Sequence, residues 1–250
     1  MSKAKIMYNM TVKQVREGLK ETQTVIIPNG IVEQHGFHLP LSTDIIAPEA
    51  VAAKASELTG CFVAPPVGYG FSGGMLAGTI NVTPPVVSLM MADIFRSLAV
   101  QGFRNMIVLL GHGGGEHVAA IKDAALQVQW MEPAYADLTI SVVALWDVSA
   151  TYLNDFTEGG PHAGRAETSM ILYLRPDLVQ MDQIAVDSPQ VTADTGSGPK
   201  QYVIPRIDPR SETAVGVIGK PAEGNPELGK KMVDEAVEGL VAHIRDLESK

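Results

Sequence analysis

Cysteine is nearly absent: Cys61 stands alone in 250 residues. A lone thiol excludes an intrachain disulfide framework and a structural zinc site built on several thiolates. It fits a reducing cytosol. Basic charge is also scarce, with 19 Lys and Arg against 28 Asp and Glu and a formal net charge of −9. Phosphate backbones are bound by clustered cations, so the acidic balance disfavours nucleic acid as the main partner. No apolar run suits a membrane. Residues 58–92 carry no charged side chain, yet Pro65, Pro66, Pro84, Pro85 and several glycines interrupt them. Such a backbone cannot keep its polar groups paired in lipid. Residues 1–8 lack the apolar stretch of a secretory signal. The expectation is a cytoplasmic protein with neither a membrane nor a nucleic acid as partner.

The rest of the chain alternates short apolar runs with amphipathic segments. Strands are predicted at 24–28, 61–67, 105–110 and 138–146, and helices at 47–58, 85–100, 116–130, 166–174 and 226–247. The run 105–110 (NMIVLL) is apolar throughout, as in a strand covered on both faces. Pro48 and Pro85 fall in first turns, where proline is tolerated. Strands separated by helices imply an α/β fold with a parallel sheet and helices on both faces. At this length folding hides roughly 70% of the extended-chain surface, enough for a core without staples. No composition break divides the chain, so one domain over residues 1–250 is expected. Residues 189–209, rich in Pro, Gly, Ser and Thr, read as a long loop or partner-contact arm.

Open α/β sheets bind ligands at the carboxyl ends of their strands. Three clusters follow strands or open helices: Glu33-Gln34-His35-Gly36-Phe37-His38-Leu39-Pro40 with Asp44, then Gly111-His112-Gly113-Gly114-Gly115-Glu116-His117, then His162-Ala163-Gly164-Arg165-Ala166-Glu167-Thr168. Glu33, His35, Asp44 and His112 make an oxygen and imidazole set suited to zinc, manganese or iron at a hydrolytic centre. A Glu and two His in a loop are more often simply solvated, but three such clusters shift the balance toward metal binding. The glycines after His112 allow close approach of backbone to a metal or substrate. They also allow a phosphate loop, which the missing GxxxxGK[ST] lysine disfavours. His38 reads as a donor supporting a ligand or as a packed loop residue. His117, Asp123, Asp137 and His243 read as surface groups.

In these three ordered motifs, from about residue 28 to 179, the chain resembles the creatininase (creatinine amidohydrolase) family. Glu33-Gln34-His35-Gly36-x-His38-Leu39-Pro40 with Asp44 resembles its first metal motif, Gly111-His112-Gly113-Gly114 its second, and His162-Ala163-Gly164 with Glu167-Thr168-Ser169 its third. Ser72 and Gly78-Thr79 match weaker signposts between them. The resemblance implies a three-layer α/β/α fold with a mostly parallel central sheet. It implies two divalent ions per chain (Zn, Mn or Fe) and a homo-oligomer, ring-like or hexameric.

By position, Glu33 and His112 resemble ligands of one metal, His35 a ligand of the other, and Asp44 the bridge. His162 matches an active-site histidine that could shuttle a proton. Glu167 is a candidate for both catalysis and ligation, with Glu116 a rival ligand. Ser72, Gly113, Trp146 and Arg165 are candidate substrate contacts. The implied reaction is attack of a metal-bound hydroxide on the carbonyl of a small cyclic amide, formamide or related compound.

The motifs also depart from the family. Gly114 stands where creatininase carries a ligating Glu, and Leu110 and Gly115 replace the two Asn of NGHGGN. Glu158 and Gly159 stand where creatininase has a Trp-Asp pair. Arg165 replaces an acid common in the third motif; a cation there suits an anionic or polyhydroxylated substrate, and an outward-facing arginine fits the position equally well. These departures keep two alternatives open: a metal-dependent hydrolase of a cyclic ketone of inositol or sugar catabolism (3-dehydro-scyllo-inosose type), or a non-catalytic ligand-binding member.

Overall fold

The computed structural model describes residues 3–185 and 215–249. The expected 189–209 arm lies outside the described residues. Five strands form one parallel sheet: β1 (Lys5–Ile6), β2 (Thr24–Asn29), β3 (Phe62–Val63), β4 (Asn105–Leu110) and β5 (Thr139–Ala144), in the spatial order β1-β3-β2-β4-β5. The helices are α1 (Val12–Gly18), α2 (Thr43–Thr59), α3 (Pro84–Gln101), α4 (Gly115–Met131), α5 (Ala150–Glu158), α6 (Arg165–Leu174) and α7 (Pro226–Glu248).

Strand side chains alternate between two cores, as a period of two requires. Val25 and Ile27 of β2 and Met106, Val108 and Leu110 of β4 pack under α3 and α4. Ile26, Ile107 and Leu109 point the other way, onto α2, α6 and α7. With both faces covered, β2 and β4 must be apolar throughout, which is why their runs lack polar alternation. The result is the three-layer α/β/α arrangement. No helix among the described residues is long and apolar enough to cross a membrane.

Some element boundaries differ from expectation. The 61–67 segment pairs only at Phe62–Val63, and Val67 then makes an isolated bridge to Asn29; Pro65 and Pro66 between them cannot donate to a ladder. The 138–146 segment leaves the sheet after Ala144 for a 3-10 turn, Leu145–Asp147, where the Asp147 carboxylate accepts from the Ala144 N–H. Helix α1 was not anticipated. Its signal is a capping box, Thr11 with Gln14, each side chain bonded to the other's backbone N–H. Helix α2 begins at Thr43, four residues before the predicted 47, which places Asp44 in its first turn.

That early start fixes the site. The first turn of α2 is wedged between the carboxyl ends of β2 and β4. A Cβ on Gly30 would lie 2.1 Å from the Asp44 carbonyl oxygen, and one on Gly111 would lie 2.0 Å from the same atom. Only glycine lets both strand ends close on this backbone. Gly111→Ala is therefore expected to force the two apart, costing about 1–3 kcal/mol and lowering Tm by several degrees. Gly115→Ala is the control, since its Cβ meets nothing within 4 Å. Thermal unfolding of both variants checks this, and equal Tm values would contradict the wedge.

Candidate metal centre

Glu33 and His35 lie in the loop after β2, Asp44 in the first turn of α2, and His112 directly after β4. His162 lies in the turn before α6, and Glu167 in the first turn of α6. Folding brings these six together at the carboxyl ends of the central strands. Candidate ligand atoms of Glu33, Asp44 and His112 lie within 4.8 Å of one another, as do those of His35, Asp44 and Glu167, and those of Glu33, His35 and His162.

The carboxylate of Asp44 faces two ways. Its Oδ2 is 3.2 Å from His112 Nδ1, which is also 3.1 Å from Glu33 Oε2. Its Oδ1 is 3.1 Å from His35 Nε2, which is 3.8 Å from Glu167 Oε2. These approaches are close but poorly aligned as hydrogen bonds. Glu33 Oε2, Asp44 Oδ2 and His35 Nε2, three of the converging atoms, are buried with no hydrogen-bond partner among the described residues. Buried polar atoms without partners are rare and costly. Converging carboxylate and imidazole atoms in that state fit divalent cations.

The surroundings orient the set. His35 Nδ1 lies 3.1 Å from the Glu33 carbonyl, which can only accept, so Nδ1 carries the proton and Nε2 faces the acids. The Glu167 carboxylate accepts from the Ala163 N–H at 2.5 Å. Ala163 holds a left-handed φ of 49° and is fully buried. Such a conformation costs a non-glycine residue energy and persists where the surroundings enforce it. Here it turns His162 toward the metal set. His162 Nε2 lies 2.9 Å from the Gln34 carbonyl and 2.9 Å from the Gln34 side-chain nitrogen. The backbone of His162 is bridged to Ile218.

Electrostatics match this geometry. Burial pushes the Glu33 carboxyl up, but His112 and His162 outweigh it and hold it below its ordinary value. Burial likewise opposes the charge on Asp44, yet His35 and His112 draw its carboxyl well below the usual range. Burial would lower both imidazoles. Asp44 and Glu167 instead raise His35 well above its ordinary value, and Asp44 and Glu33 raise His112 to about 10. Without a cation, the cluster balances its acids by protonating its histidines.

A cavity of 170 Å³ opens on this cluster, walled by Trp146, Tyr152, Phe156 and Pro161 and floored by Gly111, Gly113 and Gly114. A larger apolar cavity of 980 Å³ between α3 and the loop after β3 holds none of the converging residues. Trp146 and Gly113 thus fall at the site. Ser72 does not line the 170 Å³ cavity; its Oγ accepts from the Gly74 N–H. Arg165 does not line it either. Its guanidinium is held by Asp155 at 2.5 Å, Glu223 at 2.8 Å and Glu158 at 3.4 Å. Glu116 is exposed and joins none of the convergent groups.

Other histidines correct the expectations. His117, read as a surface group, is fully buried. Its Nε2 lies 2.7 Å from Asn29 Oδ1, its Nδ1 accepts from the Phe71 N–H, and its ring packs 5.4 Å from that of His112. His243 is half-buried, with Nε2 3.0 Å from Ser141 Oγ. His38 is buried, with Nε2 3.0 Å from Thr168 Oγ1, the support expected of a packed loop residue. Sequence reasoning missed Gln34, Asn29, Tyr152 and Asp155. Only the phase of His117 with buried Ala120, Ile121 and Ala124 on α4 offered a signal.

Comparison with known proteins follows the same lines. A family model described as "Creatininase: Creatinine amidohydrolase" matches residues 8–244. A creatinine amidohydrolase of Pseudomonas putida is 30% identical, covering 98% of each chain. A mycofactocin precursor peptide peptidase of Mycolicibacterium smegmatis is 28% identical over 88% of this chain and 84% of its own. A 3-dehydro-scyllo-inosose hydrolase of Thermotoga maritima is 29% identical over 95% of this chain and 82% of its own. Among solved structures, a manganese form of creatininase gives a TM-score of 0.83 at 25% identity, and a mutant creatininase of Zn–Zn type gives 0.82 at 26%, each covering 98% of both chains.

The His117 bonds generate a test. Burial, then the His112 charge, lowers the His117 pKa to about 4. Between that value and about 6.5, the unfolded chain takes up a proton that the folded chain refuses. Its contribution to stability is therefore lost as pH falls through this window. His117→Ala is expected to cost about 1–3 kcal/mol at pH 7, by leaving Asn29 and the Phe71 N–H unpaired. In denaturant unfolding, the gap between parent and variant should narrow toward pH 4; a constant gap would refute the assignment.

Proposed function

Because the chain belongs to the creatininase family, a family of metal-dependent hydrolases, we propose that it hydrolyses the carbonyl–nitrogen bond of a small cyclic amide, a formamide or a related compound. The observation that carries this reading is the Asp44 carboxylate, whose two oxygens face two separate imidazole and carboxylate sets. Glu33, His112 and Asp44 would hold one divalent ion; His35, Asp44 and Glu167 would hold the other. Bound zinc or manganese, the metals named for the related structures, or iron would supply Lewis acidity and lower the pKa of water.

The protein's own groups do the rest. Trp146 and Phe156 wall the cavity and exclude bulk water from the reacting carbonyl. His162, whose Nε2 lies 2.9 Å from the Gln34 carbonyl, would carry a proton to the leaving nitrogen. The cavity lining contains no lysine or arginine, so Arg165 contributes through its ion pairs rather than by touching substrate.

The Thermotoga relative favours a second reading, hydrolysis of a cyclic ketone on the same ions. The exposed Leu89 and Val100 of α3 and Trp130 and Met131 of α4 suit a homo-oligomer, hexameric by the family resemblance.

Metal analysis of protein purified without chelator is expected to find about one to two Zn, Mn or Fe per chain. Asp44→Ala should empty both positions, whereas His112→Ala and Glu167→Gln should each empty about one. Asp44→Ala with parental metal content would remove the bridging role. Metal-loaded protein should then be screened with creatinine, hydantoin-type rings, formamides, short peptides and ketocyclitols. Turnover of a ketocyclitol alone would select the second reading. Binding without turnover across the panel would leave a ligand-binding protein.

A further inference from the structure

Tyr152 has no role in the metal set, yet it stands in the same cavity. It is 4% exposed and lines the cavity shared by Asp44, His162 and Glu167. Its place is fixed from two sides. The backbone N–H donates to Ser149 Oγ at 3.1 Å, the cap of α5. The ring packs edge-on to Trp146, with centroids 5.9 Å apart. The hydroxyl makes no hydrogen bond among the described residues. It is not one of the fully buried atoms without a partner, so it is open to the cavity that Tyr152 lines, and a tyrosine hydroxyl ordinarily finds a partner. An oriented phenol without one, in a cavity that opens on candidate metal ligands, lacks a partner that a ligand can supply.

We propose that Tyr152 is a catalytic residue whose hydroxyl donates a hydrogen bond to the substrate oxygen on which negative charge develops. The inference rests on the hydrolase reading above. No proton changes owner: the phenol O–H stays intact while the carbonyl oxygen gains charge, and the bond shortens as that charge grows. Donors already aimed at developing charge need no reorganisation during reaction. The phenol suits this work because its O–H is a donor that need not lose its proton to act. The lining holds no lysine or arginine, and the Arg165 guanidinium is engaged elsewhere, so no cationic side chain competes for this role.

Tyr152→Phe keeps the ring and its packing on Trp146 and removes only the hydroxyl. The probe is acetohydroxamate, a small metal-binding anion with a carbonyl oxygen, titrated into zinc-loaded parent and variant. The variant should retain the parental zinc content and Tm. Its acetohydroxamate Kd should be weaker by about 10-fold or more, the worth of a hydrogen bond to a charged group. A Kd within about twofold of the parent at equal zinc content overturns the assignment. So does a zinc-loaded parent that does not bind the probe, a result that leaves the hydrolase reading standing. A parent that takes up no metal overturns both. Should Y152F fail to fold, 3-fluorotyrosine incorporated into the parent provides the second measurement. One of its six tyrosine fluorine resonances must move on adding the probe to the zinc form, and six unmoved resonances overturn the proposal.

Discussion

The site depends on where Asp44 is held. Its carbonyl oxygen is pinned by Gly30 and Gly111, at the ends of two adjacent parallel strands. Its carboxylate, on the same residue, divides between His35 and His112. One backbone position therefore joins the packing of the sheet to the chemistry above it. If α2 started a turn later, Asp44 would lie in a loop. If either strand end carried a side chain, the helix could not enter between them. Candidate ligands from four separate segments meet here because a parallel sheet delivers all its strand ends to one edge.

Much of this was legible in the sequence. The apolar runs of β2 and β4 marked strands covered on both faces, and polar loops following such runs marked the reactive edge. The acids and histidines of all three motifs converge as a set. Residues whose partners are remote in sequence were not legible. Arg165 read equally as a substrate cation or an outward-facing residue; its partners come from α5 and from Glu223, well over forty residues onward. His117 read as surface because a histidine near a helix start usually is. Its helical phase, shared with Ala120, Ile121 and Ala124, was the better guide. Tyr152 was missed with α5 itself, although the Ser149 cap and the apolar Tyr152, Leu153 and Phe156 of this nine-residue helix carried the signal.

The departures from the family motifs become physical statements in the structure. A Cβ on Gly114 would lie 2.5 Å from His112 Nε2, so a glutamate there could not be accommodated without moving the histidine. Glu167 supplies the carboxylate on the other side, steadied by the Ala163 N–H. Arg165, in place of an acid, joins α6 to α5 through Asp155 and so braces the turn that carries His162. The third motif has exchanged an acid for a structural ion pair while keeping the groups that face the cavity.

Charge completes the argument. Glu33, Asp44 and Glu167 are at least nine-tenths buried and lie beside no lysine or arginine in the site. Buried like charges oppose folding unless something compensates them. Protonated His35 and His112 compensate them in part, but a protonated imidazole has no lone pair left to offer a metal. Cation and proton therefore compete for the same atoms, and cation binding must release protons. On the proposed reading, a dication would offset the acids more completely than two imidazolium groups do, and would bind only the folded arrangement that gathers the candidate ligands. By mass action it would stabilise that arrangement. The cation that would make the site reactive would thus also hold α2, β2 and β4 together.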